Sequence, residues 1–180
     1  MTVLTGSMDI TACPAWRVEP MSQADVPERG VFADVQTTPG HLLRRFQQIA
    51  VSMFLKECRD LDLTPLQFAT LAALSAAPPL DQATLGGMVA LDRTTIGVVV
   101  RKLEERGLVT RTTSAADRRA KLIQMTPEGA AVLQAAVPHV ARVQDHLLAP
   151  LDETERAQLV ALMRRVVVAH NEESRAPLRV

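Results

Sequence analysis

The chain has 180 residues, 47% hydrophobic and 22% charged, which suits one compact domain or a small domain with an oligomerisation arm and is too short for a multidomain enzyme. Its 20 Lys and Arg balance 20 Asp and Glu, and aromatics make up 3% with no Tyr, which excludes a polybasic tail and a stacking platform for single strands. No apolar run nears the roughly 18 residues of a membrane span. No basic stretch precedes an apolar core at the N-terminus, and Cys13 and Cys58 make no disulfide framework, so a cytoplasmic protein is expected.

Residues 1–38 hold Pro14, Pro20 and Pro27, lack a sustained period and carry a net charge of −3, so they read as an irregular arm. Trp16, Val18, Val31, Phe32 and Val35 give that arm apolar content for docking. Leu42, Phe46, Ile49, Ala50, Met53 and Phe54 recur at spacings of three and four and predict a first long helix within 39–62. Thr64-Pro65 caps and opens a second helix, which Pro78-Pro79 must end. A short third helix follows from Asp81 or Gln82 through Val89, and a fourth, capped by Asp92, runs to Gly107.

Leu108 to Thr113 and Lys121 to Met125 read as a hairpin whose polar tip is Ser114 to Ala120. Thr126-Pro127 opens a further helix with Ala130, Leu133, Val137, Val140, Val143 and Leu147 on one stripe, in which Pro138 predicts a kink. Asp152 starts a last helix faced by Leu159, Leu162, Met163, Val166 and Val167. The fold class is therefore mainly α with a small β-hairpin wing, and short helices followed by a hairpin describe a winged helix-turn-helix over 63–126. Charge agrees with that order: residues 92–121 carry a net +4 from Arg93, Arg101, Lys102, Arg106, Arg111, Arg118, Arg119 and Lys121 against four carboxylates.

Three stretches in close order carry a family resemblance: Leu91-Asp-Arg-Thr-Thr-Ile, Lys102-Leu-Glu-Glu-Arg-Gly-Leu-Val, and Ala116-Asp-Arg-Arg-Ala-Lys-Leu-Ile-Gln-Met-Thr-Pro-Glu-Gly. Over about residues 40–170 the chain resembles the MarR-type transcriptional regulators. The resemblance implies a homodimer on pseudo-palindromic double-stranded DNA, with 39–62 as first dimerisation helix, 127–174 as C-terminal dimerisation helices and 175–180 as a tail. The excess apolar stripes of the last two helices support that independently, since they must be buried somewhere.

Arg93, Thr94 and Thr95 are the expected base-edge contacts, Val98 lies on the same face, and Arg101 and Lys102 are expected on phosphates. Gly97 and Val98 stand where family members place polar or basic groups. At the wing, Arg119 is expected in the minor groove with Asp117 orienting it, and Arg118 on a phosphate. The resemblance also implies release by a small aromatic carboxylate. Its candidate contacts are His41, Arg45 and Arg111 for the carboxylate and Phe46, Met53 and Phe68 for the apolar walls.

Two alternatives differ in kind. Cys58 near Lys56 and Arg59 raises a redox-responsive regulator, which Glu57, Asp60 and Asp62 oppose. A winged-helix protein-interaction module without specific DNA binding is the other. His41, His139, His146 and His170 show no i, i+4 pair, so neither metal nor cofactor is expected, and no phosphate loop, dinucleotide turn or nucleophile elbow suggests an enzyme.

Overall fold

The computed structural model describes residues 35–113 and 121–179. The chain divides into two compact units, residues 1–45 and 46–180. The elements in order are α1 (Pro39–Glu57), a 3-10 turn (Arg59–Leu61), α2 (Pro65–Ser75), β1 (Leu80–Asp81), α3 (Gln82–Met88), α4 (Arg93–Glu105), β2 (Val109–Thr113), β3 (Lys121–Met125), α5 (Pro127–Leu147), α6 (Glu153–Ala169) and a 3-10 turn (Asn171–Glu173). Mostly helical, with a small antiparallel sheet, this is the winged-helix class that the sequence predicts.

Each helix of the central group starts where a side chain satisfies otherwise orphaned N–H groups. Thr64 and Gln67 form a reciprocal capping box on α2, with Pro65 at its first position. Asp81 caps α3 by accepting from the N–H groups of Ala83 and Thr84. Between α3 and α4 the chain turns through Ala90 at φ 53, the left-handed region that a non-glycine residue rarely adopts. The core then forms where the inner faces meet: Leu71 from α2, Leu85 from α3, Ile96, Val100 and Leu103 from α4, and Val109 and Ile123 from the sheet are all essentially sealed from solvent. Leu133, Ala136 and Val143 of α5 belong to the same core.

The sheet is three-stranded, in the order β1-β3-β2. Val109 faces Met125 and Thr113 faces Lys121 across the hairpin, while Leu80 and Asp81 pair with Ile123 and Leu122. Sequence periodicity misses β1 because two residues directly after Pro78-Pro79 contain no period to detect. The first helix lies inside the expected 39–62 segment: α1 stops at Glu57, and a 3-10 turn leads to Asp62 at φ 47. Arg106, at the end of α4, locks this junction by donating to the backbone carbonyls of Leu61 and Asp62. Pro138 lies within α5, which continues from Pro127 to Leu147.

The wing is fastened to α5 by Thr126, whose hydroxyl donates to the Gly107 carbonyl at 2.7 Å and accepts from the Gly129 N–H at 3.0 Å. Here a glycine is required by space. A Cβ on Gly129 would stand 2.1 Å from the Leu108 carbonyl oxygen and 2.9 Å from Met125 Cγ. Gly129→Ala is therefore expected to destabilise the fold by about 1–3 kcal/mol, the usual cost of overpacking, read as a fall of several degrees in the thermal unfolding midpoint; an unchanged midpoint would show that α5 can move off the wing freely.

Candidate nucleic-acid interface

The geometry of α4 follows from its amphipathic pattern. With Ile96, Val99, Val100 and Leu103 turned into the core, Arg93, Thr94, Val98, Arg101 and Lys102 are left exposed on the opposite side. Asp92 fixes the start of the helix: its carboxylate accepts from the N–H groups of Thr94 and Thr95, both at 3.0 Å. Thr95, expected at base edges, is half-buried and its hydroxyl donates to the second oxygen of Asp92 at 3.0 Å. Its polar atom is thus already engaged in capping.

Gly97 also has a packing reason. A Cβ there would lie 3.2 Å from Gln82 Nε2, and Gln82 donates to the Arg93 carbonyl at 3.4 Å, so Gly97 lets α3 approach α4 closely. The sequence marks Gly97 as a weak reader of DNA; the structure gives it the role of a spacer. Arg101 pairs loosely with Glu105 at 3.9 Å and stays 63% exposed, leaving its guanidinium accessible. Arg111 on β2 reaches Glu104 of α4 at 3.2 Å, tying the hairpin to the helix. Asp117, Arg118 and Arg119 lie outside the described residues. At the base of that tip, Lys121 donates to the Thr113 hydroxyl at 2.7 Å.

A cavity of about 540 Å³ opens beside the same helix. Gln47, Val51 and Leu55 of α1, residues 64–67 at the start of α2, and Thr94, Thr95, Val98, Val99 and Lys102 of α4 line it. Sequence reasoning did not gather this set, because no local period links the middle of α1 to the outer face of α4. Of the six effector candidates, Met53 lines a different opening of about 690 Å³ with Lys56, Glu57, Arg142 and His146. Phe68 packs edge-on against Phe54, ring centres 6.0 Å apart, at the border of the core. None of Met53, Phe68 and Arg111 lines the cavity beside α4. Phe46 is half-buried on α1, and in the other unit His41 is half-buried and Arg45 exposed on the same helix.

Cys58 is fully buried, and its thiol is pushed up from its ordinary pKa by burial first and by the Glu57 carboxylate second. Such a thiol is protonated and shielded, the opposite of a redox-active cysteine. Glu57 is held by Arg142 at 2.6 Å, and its carboxyl lies below the usual range chiefly through that bond. Among the described residues, no group of three or more His, Cys, Asp or Glu could hold a metal ion, and no single helix is long and apolar enough to cross a membrane.

A family model described as the MarR family matches residues 61–120. A transcriptional repressor of Pseudomonas putida, NicR, is 34% identical over 134 residues, covering 74% of this chain and 85% of its own length. The chain belongs to the MarR family of transcriptional regulators. Among solved MarR-like structures, the Streptomyces coelicolor regulator PcaV, crystallised with its natural ligand, is 40% identical with a TM-score of 0.68, covering 76% of this chain and 96% of that one. Bordetella bronchiseptica BpsR, whose DNA binding is regulated by 6-hydroxynicotinic acid, is 31% identical with a TM-score of 0.69, covering 73% and 94%. The family and its named relatives are regulators of transcription.

Asp92 gives this MarR-family helix a pH signature. Its carboxyl is held below the ordinary aspartate range, first by the Thr95 N–H and next by the Thr95 hydroxyl. A folded-state value below the unfolded one contributes stability that is complete at neutral pH and is lost as pH falls through the folded-state value. Asp92→Asn keeps a capping oxygen but removes the charge, so the variant is expected to lose less of its thermal midpoint between neutral and acidic pH than the parent chain. Identical acid sensitivity would remove Asp92 as a source of it.

Proposed function

We propose that this chain is a DNA-binding repressor that acts as a homodimer on a pseudo-palindromic operator and is released by a small aromatic carboxylate. The observation that carries the reading is the outer face of α4, where Arg93, Thr94, Val98, Arg101 and Lys102 are exposed together while the opposite face is sealed in the core. Cations at helix spacing neutralise phosphates, and a Thr methyl or hydroxyl meets base edges in a major groove. On the sequence motif, the reading also assigns Arg119 to the minor groove, Arg118 to a phosphate and Asp117 to orienting Arg119.

The dimer reading draws on α6. It buries no residue within the chain, and Val160, Leu162, Val166, Val167 and Val168 are each more than half exposed. A second copy covers this stripe at less cost than water, because a patch of that chemistry in contact with solvent is unfavourable. Light scattering is expected to give twice the chain mass of 19.6 kDa.

For the effector, the cavity beside α4 has the required make-up: apolar walls from Val51, Leu55, Val98 and Val99, with Lys102 for a carboxylate and Gln47 or Thr94 for ring substituents. A ligand there touches the helix that reads DNA, which is a direct route from binding to release. NicR, a repressor, and BpsR, governed by a hydroxylated pyridine carboxylate, support both halves of the reading.

The test is binding to the chain's own upstream intergenic DNA, titrated with salt and with hydroxylated benzoates and pyridine carboxylates. Tight, salt-sensitive binding released by one compound is expected, and no specific binding at low salt would favour the protein-interaction module. Arg119→Ala is expected to weaken binding with the dimer intact. Val51→Trp, which fills the cavity from α1, should leave DNA affinity alone and reduce the effector response about tenfold or more, the scale on which an altered pocket wall discriminates. An unaltered response would move the effector elsewhere, with Arg111→Ala as the next variant.

A further inference from the structure

Beyond the winged domain, the segment that follows α6 returns to the helix-turn-helix. Residues 171–179 close on themselves: the Leu178 N–H donates to Asn171 Oδ1 at 2.8 Å, and Asn171 Nδ2 donates to the Leu178 carbonyl at 3.2 Å. Arg179 forks onto both oxygens of Glu172, at 2.7 and 2.9 Å. The closed segment then grips the turn between α3 and α4 at two points. The Arg179 N–H donates to the Gly87 carbonyl at 2.8 Å, and Arg175 Nη2 reaches Asp92 Oδ2 at 3.1 Å. Gly87 allows that approach, since a Cβ there would stand 3.1 Å from Arg179 Cβ. The sequence reading sets 175–180 apart as a tail; residues 175–179 instead lie against the helix-turn-helix.

Arg175 is the unusual member. Its side chain is 89% exposed, and among the described residues its one ion-pair partner is Asp92, the cap of α4. A guanidinium has five N–H donors in a planar fork, and one contact with Asp92, on a side chain this exposed, leaves donors open to solvent at the start of α4. An exposed pair of this kind contributes little to stability, so sharing the guanidinium with a second anion costs little. A carboxylate at the entrance of a DNA-reading helix would repel phosphates; a cation seated on it neutralises that charge and leaves its free donors for an anion.

We propose that Arg175 is a DNA-backbone contact: the closed segment 171–179 holds its guanidinium beside the first turn of α4, where it takes an operator phosphate with Asp92 as its orienting partner. This rests on the DNA-binding reading above. It extends the interface to a residue outside the winged domain and predicts a sequence-independent contribution, since phosphates carry no base identity.

The test compares the parent chain with Arg175→Ala and Arg175→Lys on two duplexes, the upstream intergenic DNA and a shuffled sequence of the same length, across a salt series. Arg175→Ala is expected to weaken both duplexes by the same factor and to make the slope of log affinity against log salt shallower by about one for each arginine lost. Arg175→Lys should keep the parental slope. A parental slope in Arg175→Ala, or weakening confined to the upstream duplex, would overturn the proposal and leave Arg175 as a positioning residue acting through Asp92. A parent chain that binds neither duplex overturns this inference together with the DNA-binding reading, whereas a parent that binds with an unaffected Arg175→Ala overturns the inference alone.

Discussion

The structure depends first on which side of α4 is dry. Ile96, Val99, Val100 and Leu103 lock into Leu71, Leu85, Val109 and Ile123, and a one-residue rotation would bring Arg101 or Lys102 into that core without a partner. Burying an unpaired cation costs several kcal/mol by the most modest reckoning, more than any surface contact could offset. The orientation of the outer face is therefore a by-product of core packing. The caps, the Gly97 spacer and the Arg111 to Glu104 bridge refine it, and none of them could set it alone.

Much of this was legible in sequence because local physics and the final fold agree. Thr64, Asp92, Thr126 and Asp152 all cap helices where propensity places them, and the inward residues of α4 are those that helical spacing selects. The strand β1 was not legible, since its two residues gain their conformation from Leu122 and Ile123 of β3. The exact end of α1 within 39–62 was not legible for a related reason: apolar residues continue through Leu61, but Arg106, 45 positions away, holds the chain there in a different path.

Site residues divide in the same way. Exposed cations on α4 can be read from periodicity, whereas Thr95 looks equally available until its hydroxyl is found on Asp92. The effector set was assembled from side-chain chemistry on elements expected to line a cleft, and that criterion cannot tell Phe68, which leans on Phe54, from Val51, which faces open space. Gln47, Val51 and Leu55 come together with Lys102 only through tertiary packing. Arg175 illustrates the extreme case, being 83 positions from the carboxylate it meets.

Arg106 has a mechanical consequence. With its guanidinium clamped on the carbonyls of Leu61 and Asp62, the far end of α4 is pinned to the α1–α2 junction, while Gln82, donating to the Arg93 carbonyl, ties the near end to α3. A beam fixed at both ends does not fray or bend cheaply; it moves as one piece or not at all. Any displacement of this helix must carry the junction and, through Glu104 and Arg111, the hairpin with it. Such a linkage converts a small push on one wall into a concerted shift between discrete arrangements, because close-packed interiors tolerate few intermediate positions.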